Sequence, residues 1–249
     1  MRKLFLIMLA LAVGYTVVLL GRSPLPKGFV WISSVDPTIK VSARFAGSDN
    51  LTGAPVPGYK NKKDLMLTYE AASKLKEVQD ALKDYGYGLV IYDAYRPQYA
   101  TTILTDWLQN DAEQGEKKLY YPTLSKSELR DQGYFSDLSA NSRGSTVDLG
   151  LVSMGHSIYS PKASQKTLKN GEVIPYLDDG SADTGSSYGL LHEVASISST
   201  LIEDDQKKLR ELLRDTMTAH GFVNFNKLWW RYTLLEEPFP NMYYNFDPK

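Results

Sequence analysis

Two arginines, Arg96 and Arg231, one aspartate, Asp148, and three histidines, His156, His192 and His220, are the side chains through which this chain could hold a ligand or move a proton. The chain has no cysteine, which removes disulfides, thiolate metal ligands and cysteine nucleophiles together. Any imidazole-rich metal centre must therefore draw on those three histidines. His220 closes a predicted helix beside Gly221, where a cation complements the helix dipole, so it reads as structural. His156 follows Gly155, and His192 precedes Glu193 in a long loop. A zinc site built from His156, His192 and Asp148 is conceivable, but their spacing matches no familiar ligand pattern. Arg96, between Tyr95 and Pro97, reads either as an ion-pair partner or as a binding group. Arg143 precedes Gly144, where glycine lets the backbone turn into a strand. Trp229 and Trp230 read as core and cleft wall.

The elements that must position these residues come in mixed order. Ala71, Leu75, Val78 and Leu82 recur at helical spacing and predict a helix over 68–85, stopped by Gly86. Pro97 opens a helix to about residue 110. A short helix is expected over 125–132 and a strong one over 204–220, with Leu209, Leu212, Leu213 and Met217 inward. Strands are expected at 29–32, 88–92, 147–152 and 229–235. Residues 34–59 and 155–196 read as long loops rich in turn residues. The fold class is α+β. The formal net charge of -1 argues against a nucleic-acid binder.

Residues 1–24 read as a targeting segment. Arg2 and Lys3 precede an uncharged stretch over 4–20, within the roughly 17–25 apolar residues that a spanning helix needs. No small-x-small cleavage site follows, which favours a signal-anchor over a cleaved signal. Either reading exports the domain at 25–249 to the periplasm or cell exterior, with the membrane as a partner of the N-terminal helix.

Four groups of residues then carry a resemblance. They are Asp49-Asn50-Leu51-Thr52-Gly53 with Pro57-Gly58-Tyr59; Tyr92-Asp93-Ala94-Tyr95-Arg96-Pro97; Ser139-Ala140-Asn141-Ser142-Arg143-Gly144-Ser145-Thr146-Val147-Asp148-Leu149; and Gly221-Phe222-Val223 with Trp229-Trp230-Arg231-Tyr232-Thr233-Leu234 and Glu237-Pro238-Phe239-Pro240. In order and spacing, over roughly residues 35–248, the chain resembles the D-alanyl-D-alanine dipeptidases of the VanX type. The resemblance implies a zinc peptidase on the hedgehog/DD-peptidase fold, with Ser139, Arg143 and Arg96 in the binding frame and Arg96 polarising the scissile carbonyl.

The same resemblance marks a departure. The three metal-ligand positions fall at Asn141, Asp148 and Arg231, the general-base position at Leu228, and the aspartate that holds the substrate's ammonium at Gly189. Only Asp148 keeps the family's residue. Arg231 stays protonated and has no acceptor, and Leu228 carries no proton. No metal is expected here, with zinc retained only if the family's activity survives. Arg231 is expected to grip Asp148 in the metal's place, with Asn141 hydrogen-bonded at the edge of that pair. The reading is a family member without zinc-dependent hydrolysis that keeps a cleft for a D-alanine-ended peptide or peptidoglycan fragment. The alternatives are an active dipeptidase with a rebuilt metal site and a tethered structural domain.

Overall fold

Apolar side chains at helical spacing form the expected helices around one mixed sheet. The computed structural model describes residues 25–59 and 63–247. In chain order it contains β1 (Phe29–Trp31), α1 (Ile32–Val35), β2 (Lys40–Val41), β3 (Met66–Thr68), α2 (Tyr69–Lys83), β4 (Tyr87–Asp93), α3 (Gln98–Gln109), α4 (Lys117–Tyr120) and α5 (Lys126–Asp131). There follow β5 (Thr146–Ser153), β6 (Lys162–Thr167), β7 (Val173–Asp178), α6 (Asp204–Ala219), β8 (Phe222–Asn224) and β9 (Arg231–Leu234). The proposed export segment lies outside the described residues. Among the described residues no helix is long and apolar enough to cross a membrane.

The main sheet runs β2-β4-β5-β9-β8, with β2 parallel to β4 and the other pairs antiparallel. Thr68 caps α2 by accepting from the Ala71 amide, and Ala71, Leu75, Val78 and Leu82 are fully buried. Along β5 the side chains alternate. Val147, Leu149 and Leu151 join the core with Leu75, Val78 and Leu82. Thr146 and Asp148 face the other side, where Thr146 meets Thr233 across β9 and Asp148 lines a cavity. Gly144, at φ +85°, makes the turn into β5, and a Cβ there would lie 2.4 Å from Phe29 Cε1.

Three expectations need correction. The stretch 155–196 is not all loop: β6 and β7 pair as an antiparallel hairpin from Lys162↔Asp178 to Thr167↔Val173. Its first strand is polar and exposed, so it carries no alternation of buried residues. The last strand begins at Arg231, after Trp229 and Trp230. The two tryptophans instead pack edge to face at 5.3 Å, and Trp229 Nε1 donates to Ser186 Oγ at 3.1 Å. Pro97 stands just before α3, with extended backbone, rather than in its first turn.

One buried side chain fastens the loop after the hairpin. Arg210 of α6 donates to the carbonyls of Thr184 (2.7 Å), Val194 (2.9 Å) and Ser196 (2.6 Å), and to Ser186 Oγ (3.1 Å). The segment held this way carries Tyr188 and Gly189.

Candidate functional site

The register of the three central strands builds the site. Asp93 ends β4 opposite Asp148 on β5, and Asp148 lies opposite Arg231 on β9. Residues facing each other across antiparallel strands have Cβ atoms roughly 5 Å apart. A guanidinium placed there reaches a neighbouring carboxylate without leaving its strand. Arg231 Nε and Nη2 donate to Asp148 Oδ1 and Oδ2 at 2.8 and 2.9 Å, a bidentate grip. Asp148 is buried, whereas the Arg231 side chain is 21% exposed and shows one edge to the cleft. Burial pulls the Arg231 guanidinium down, and the charge of Asp148 more than offsets it, so its pKa stands above the ordinary value.

Two carboxylates side by side in a sheet require two cations. The second comes from Arg96, whose Nη2 pairs with Asp93 Oδ2 and whose Nε donates to the Tyr59 hydroxyl at 2.9 Å. Tyr59 in turn donates to Asp93 Oδ1 at 2.6 Å. Asp93 is completely buried, and its carboxyl is pushed up by that burial and only partly drawn back by Arg96. Burial also raises the Tyr59 phenol well above its usual range. The result is a line of four charges, Arg96, Asp93, Asp148 and Arg231, with the two carboxylates in the middle and a guanidinium at each end. Tyr188 closes it, donating to Asp148 Oδ2 at 3.4 Å while its ring stacks on Tyr92 at 4.3 Å.

Asn141 does not sit at the edge of the Arg231–Asp148 pair as expected. Its amide nitrogen donates to the Ala94 carbonyl at 2.9 Å and approaches Asp93 Oδ2 at 3.5 Å. Its turn, Ala140–Arg143, abuts the end of β4, so the side chain meets that strand first. Ser139 caps the same turn by accepting from the Asn141 amide. Arg143 is clamped by both oxygens of Glu237 at 2.6 to 3.0 Å. Leu228 lines the cleft as an apolar wall beside Trp230.

The histidines are not brought together with Asp148. His192 caps the turn at Glu193–Ala195 and faces Glu172 at 3.1 Å, and His220 Nδ1 meets the Thr216 carbonyl at the end of α6. Tyr59, Asp93 and Tyr188 are the site residues that residue-by-residue reading passed over. A charged residue ending the apolar run Gly88-Leu89-Val90-Ile91-Tyr92 was the available signal for Asp93.

Two neighbouring spaces that share part of their lining open on this line. The inner one, about 40 Å³, is lined by Arg96, Asp148, Tyr188, Leu228, Trp230 and Arg231, among others. The outer one, about 230 Å³, shares Arg96, Arg231, Tyr134 and Phe135 with it and extends past Ser139 and Thr101. The donor set does not fit a zinc ion. Both Asp148 oxygens are taken by a fixed cation, Asn141 turns its amide nitrogen to a carbonyl, and Arg231 offers no lone pair. Among the described residues no group of three His, Cys, Asp or Glu side chains is placed to hold a metal.

Comparison with known proteins places this chain in a family. Residues 26–159 and 173–249 match Peptidase M15, D-ala-D-ala dipeptidase. The gap between the matched segments takes in the exposed strand β6. A D-alanyl-D-alanine dipeptidase of Enterococcus faecium is 30% identical over 89% of this chain and 98% of its own length. One from Enterococcus faecalis is 31% identical over 88% and 97%. One from Escherichia coli is 25% identical over 82% of each chain. By this match over most of its length, the chain belongs to the D-alanyl-D-alanine dipeptidase family, Peptidase M15.

Proposed function

We propose that this chain is a family member that binds a D-alanine-ended peptide or peptidoglycan fragment in its cleft without hydrolysing it. One observation carries the reading: the Arg231 guanidinium occupies both oxygens of Asp148. Metal-assisted hydrolysis needs an open coordination position and a base for the bound water. Here a permanent cation replaces the exchangeable one, and Leu228 stands at the base position. Arg96 remains beside the cleft, buried against Asp93 and able to receive a polar ligand. The expected result is no hydrolysis of D-alanyl-D-alanine above background with zinc added, and no stoichiometric zinc in the purified protein. Chelator-sensitive turnover would overturn the reading.

The domain from residue 25 onward is placed outside the cytoplasm in this proposal, since Arg2, Lys3 and the uncharged stretch over 4–20 form an export signal. Removal of residues 1–22 is expected to leave a folded protein that stays in solution without detergent. A truncated chain that needs detergent would show that the stretch belongs to the core.

A further inference from the structure

The cleft has a surplus of donors and a lack of free acceptors. Arg96 and Arg231 each spend Nε and Nη2 on their partners, and the remaining nitrogen, Nη1, finds no acceptor among the described residues. Neither Nη1 is sealed from solvent, although Arg96 as a whole is only 4% exposed. The two side chains line both spaces. Tyr120 and Tyr134 also line the inner space, and their hydroxyls make no hydrogen bond among the described residues. Arg96 lowers the pKa of Arg231 by its charge, which places the two cations in mutual repulsion. An anion lying between them relieves it.

Among the described residues, Asp148 is the sole acidic residue lining either space, and Arg231 covers both its oxygens. Among the described residues, the lining of the two spaces therefore offers an ammonium group no unpaired carboxylate. Gly189 cannot readily be replaced by one: its φ is +85°, and a Cβ would lie 3.0 Å from the Tyr120 ring. The inner space of about 40 Å³ is narrow. At roughly 10–15 Å³ per water on this measure, it takes about three water-sized groups. That is a carboxylate with little room for a side chain beside it. The walls next to the guanidiniums, Leu228 and Trp230, suit a methyl group.

We infer that the inner space is a socket for the terminal carboxylate of a peptide with a small last residue, gripped by Arg96 Nη1 and Arg231 Nη1, and that the bound peptide has no free amino group near this end. The chain of the ligand leaves through the outer space past Ser139. This rests on the reading that the cleft binds a D-alanine-ended peptide. It changes the ligand class from a free dipeptide to a longer or N-blocked peptide.

Calorimetric titration of the full-length protein tests it with three probes: N-acetyl-D-alanyl-D-alanine, D-alanyl-D-alanine and N-acetyl-D-alanyl-D-alaninamide. The acetylated acid should bind at least as tightly as the free dipeptide, and amidation of its carboxyl should weaken binding at least tenfold. A free dipeptide bound tenfold tighter than its acetylated form would overturn the blocked-amine inference and leave the cleft reading standing. An amide bound as tightly as the acid would overturn the carboxylate grip while also leaving that reading standing. No binding of any probe would overturn both. In the paired variant Arg231→Gln with Asp148→Asn, the advantage of acid over amide should shrink at least threefold. The three probes are first compared on the unchanged protein, so misfolding of this variant would leave that comparison intact.

Discussion

Replacing Arg231 by alanine is expected to destabilise the protein by about 3–5 kcal/mol, the cost of leaving a buried ion-pair partner uncompensated. Asp148 is 1% exposed and would be left with a single long hydrogen bond, from Tyr188 at 3.4 Å. The partial exposure of Arg231 lets water enter the gap, which puts the expected value at the lower end of that range. For a chain of this size, each kcal/mol lowers the melting temperature by about 2–4 °C, so a drop of roughly 6–12 °C is expected. Urea unfolding measures the free energy directly. The decisive comparison is the double variant Arg231→Ala with Asp148→Asn. Without the charge to strand, most of the lost stability should return. A double variant as unstable as the single would mean that packing of the arginine stem, rather than its charge, holds this end of β9.

The replacement of Arg96 by alanine should cost a similar amount at neutral pH, about 3–5 kcal/mol, and in a pH-dependent way. Asp93 has no exposure, and burial already holds its carboxyl above the usual carboxylate range. Removing the guanidinium takes away the charge that draws it back down. The folded state then binds a proton that the unfolded chain, with its aspartate near 3.9, gives up at about pH 4. Where the folded state binds more protons, stability falls as pH rises. The variant should therefore lie closest to the parent at or below about pH 4 and fall away as pH climbs toward neutrality. Melting curves from pH 3.5 to 7.5 would show a gap that widens with pH. A constant gap, or one that narrows upward, would rule out a stranded Asp93 carboxylate as the cause. Arg96→Ala with Asp93→Asn should lose the pH dependence.

The sequence made the helices and the central strands legible because their residues bury one face. Ala71, Leu75, Val78 and Leu82 could hardly be arranged otherwise, and Val147, Leu149 and Leu151 alternate on β5 with Thr146, Asp148 and Gly150. The hairpin of β6 and β7 is hard to read from the sequence because its first strand is exposed and has no apolar run. Lys162–Thr167 has none, yet Asn170-Gly171 sits between the two strands and is a strong turn signal for a hairpin. Trp229 and Trp230 read as strand residues because aromatic side chains favour sheets, but their large side chains are consumed in packing before the strand starts. The Arg231–Asp148 contact could be anticipated because a charge left behind in a buried site must be answered by another. The pairing of Asn141 with the end of β4 could not, since it depends on how a turn of Ala140–Arg143 meets a strand that is remote in sequence.

The clasp that Arg210 makes on the segment 184–196 has a consequence for time rather than for structure. Loops beside binding clefts commonly open on their own, at a small fraction of the cost of unfolding the whole domain. This wall is denied that freedom. To swing Tyr188 and Gly189 away, the chain would have to break the bonds of one buried guanidinium to three carbonyls and a hydroxyl at once. Slow amide exchange should therefore reach from α6 into the loop and make the two behave as one cooperative unit. That wall of the cleft should then keep its place while a ligand comes and goes, so that binding and release are timed by the ligand and not by the opening of this loop.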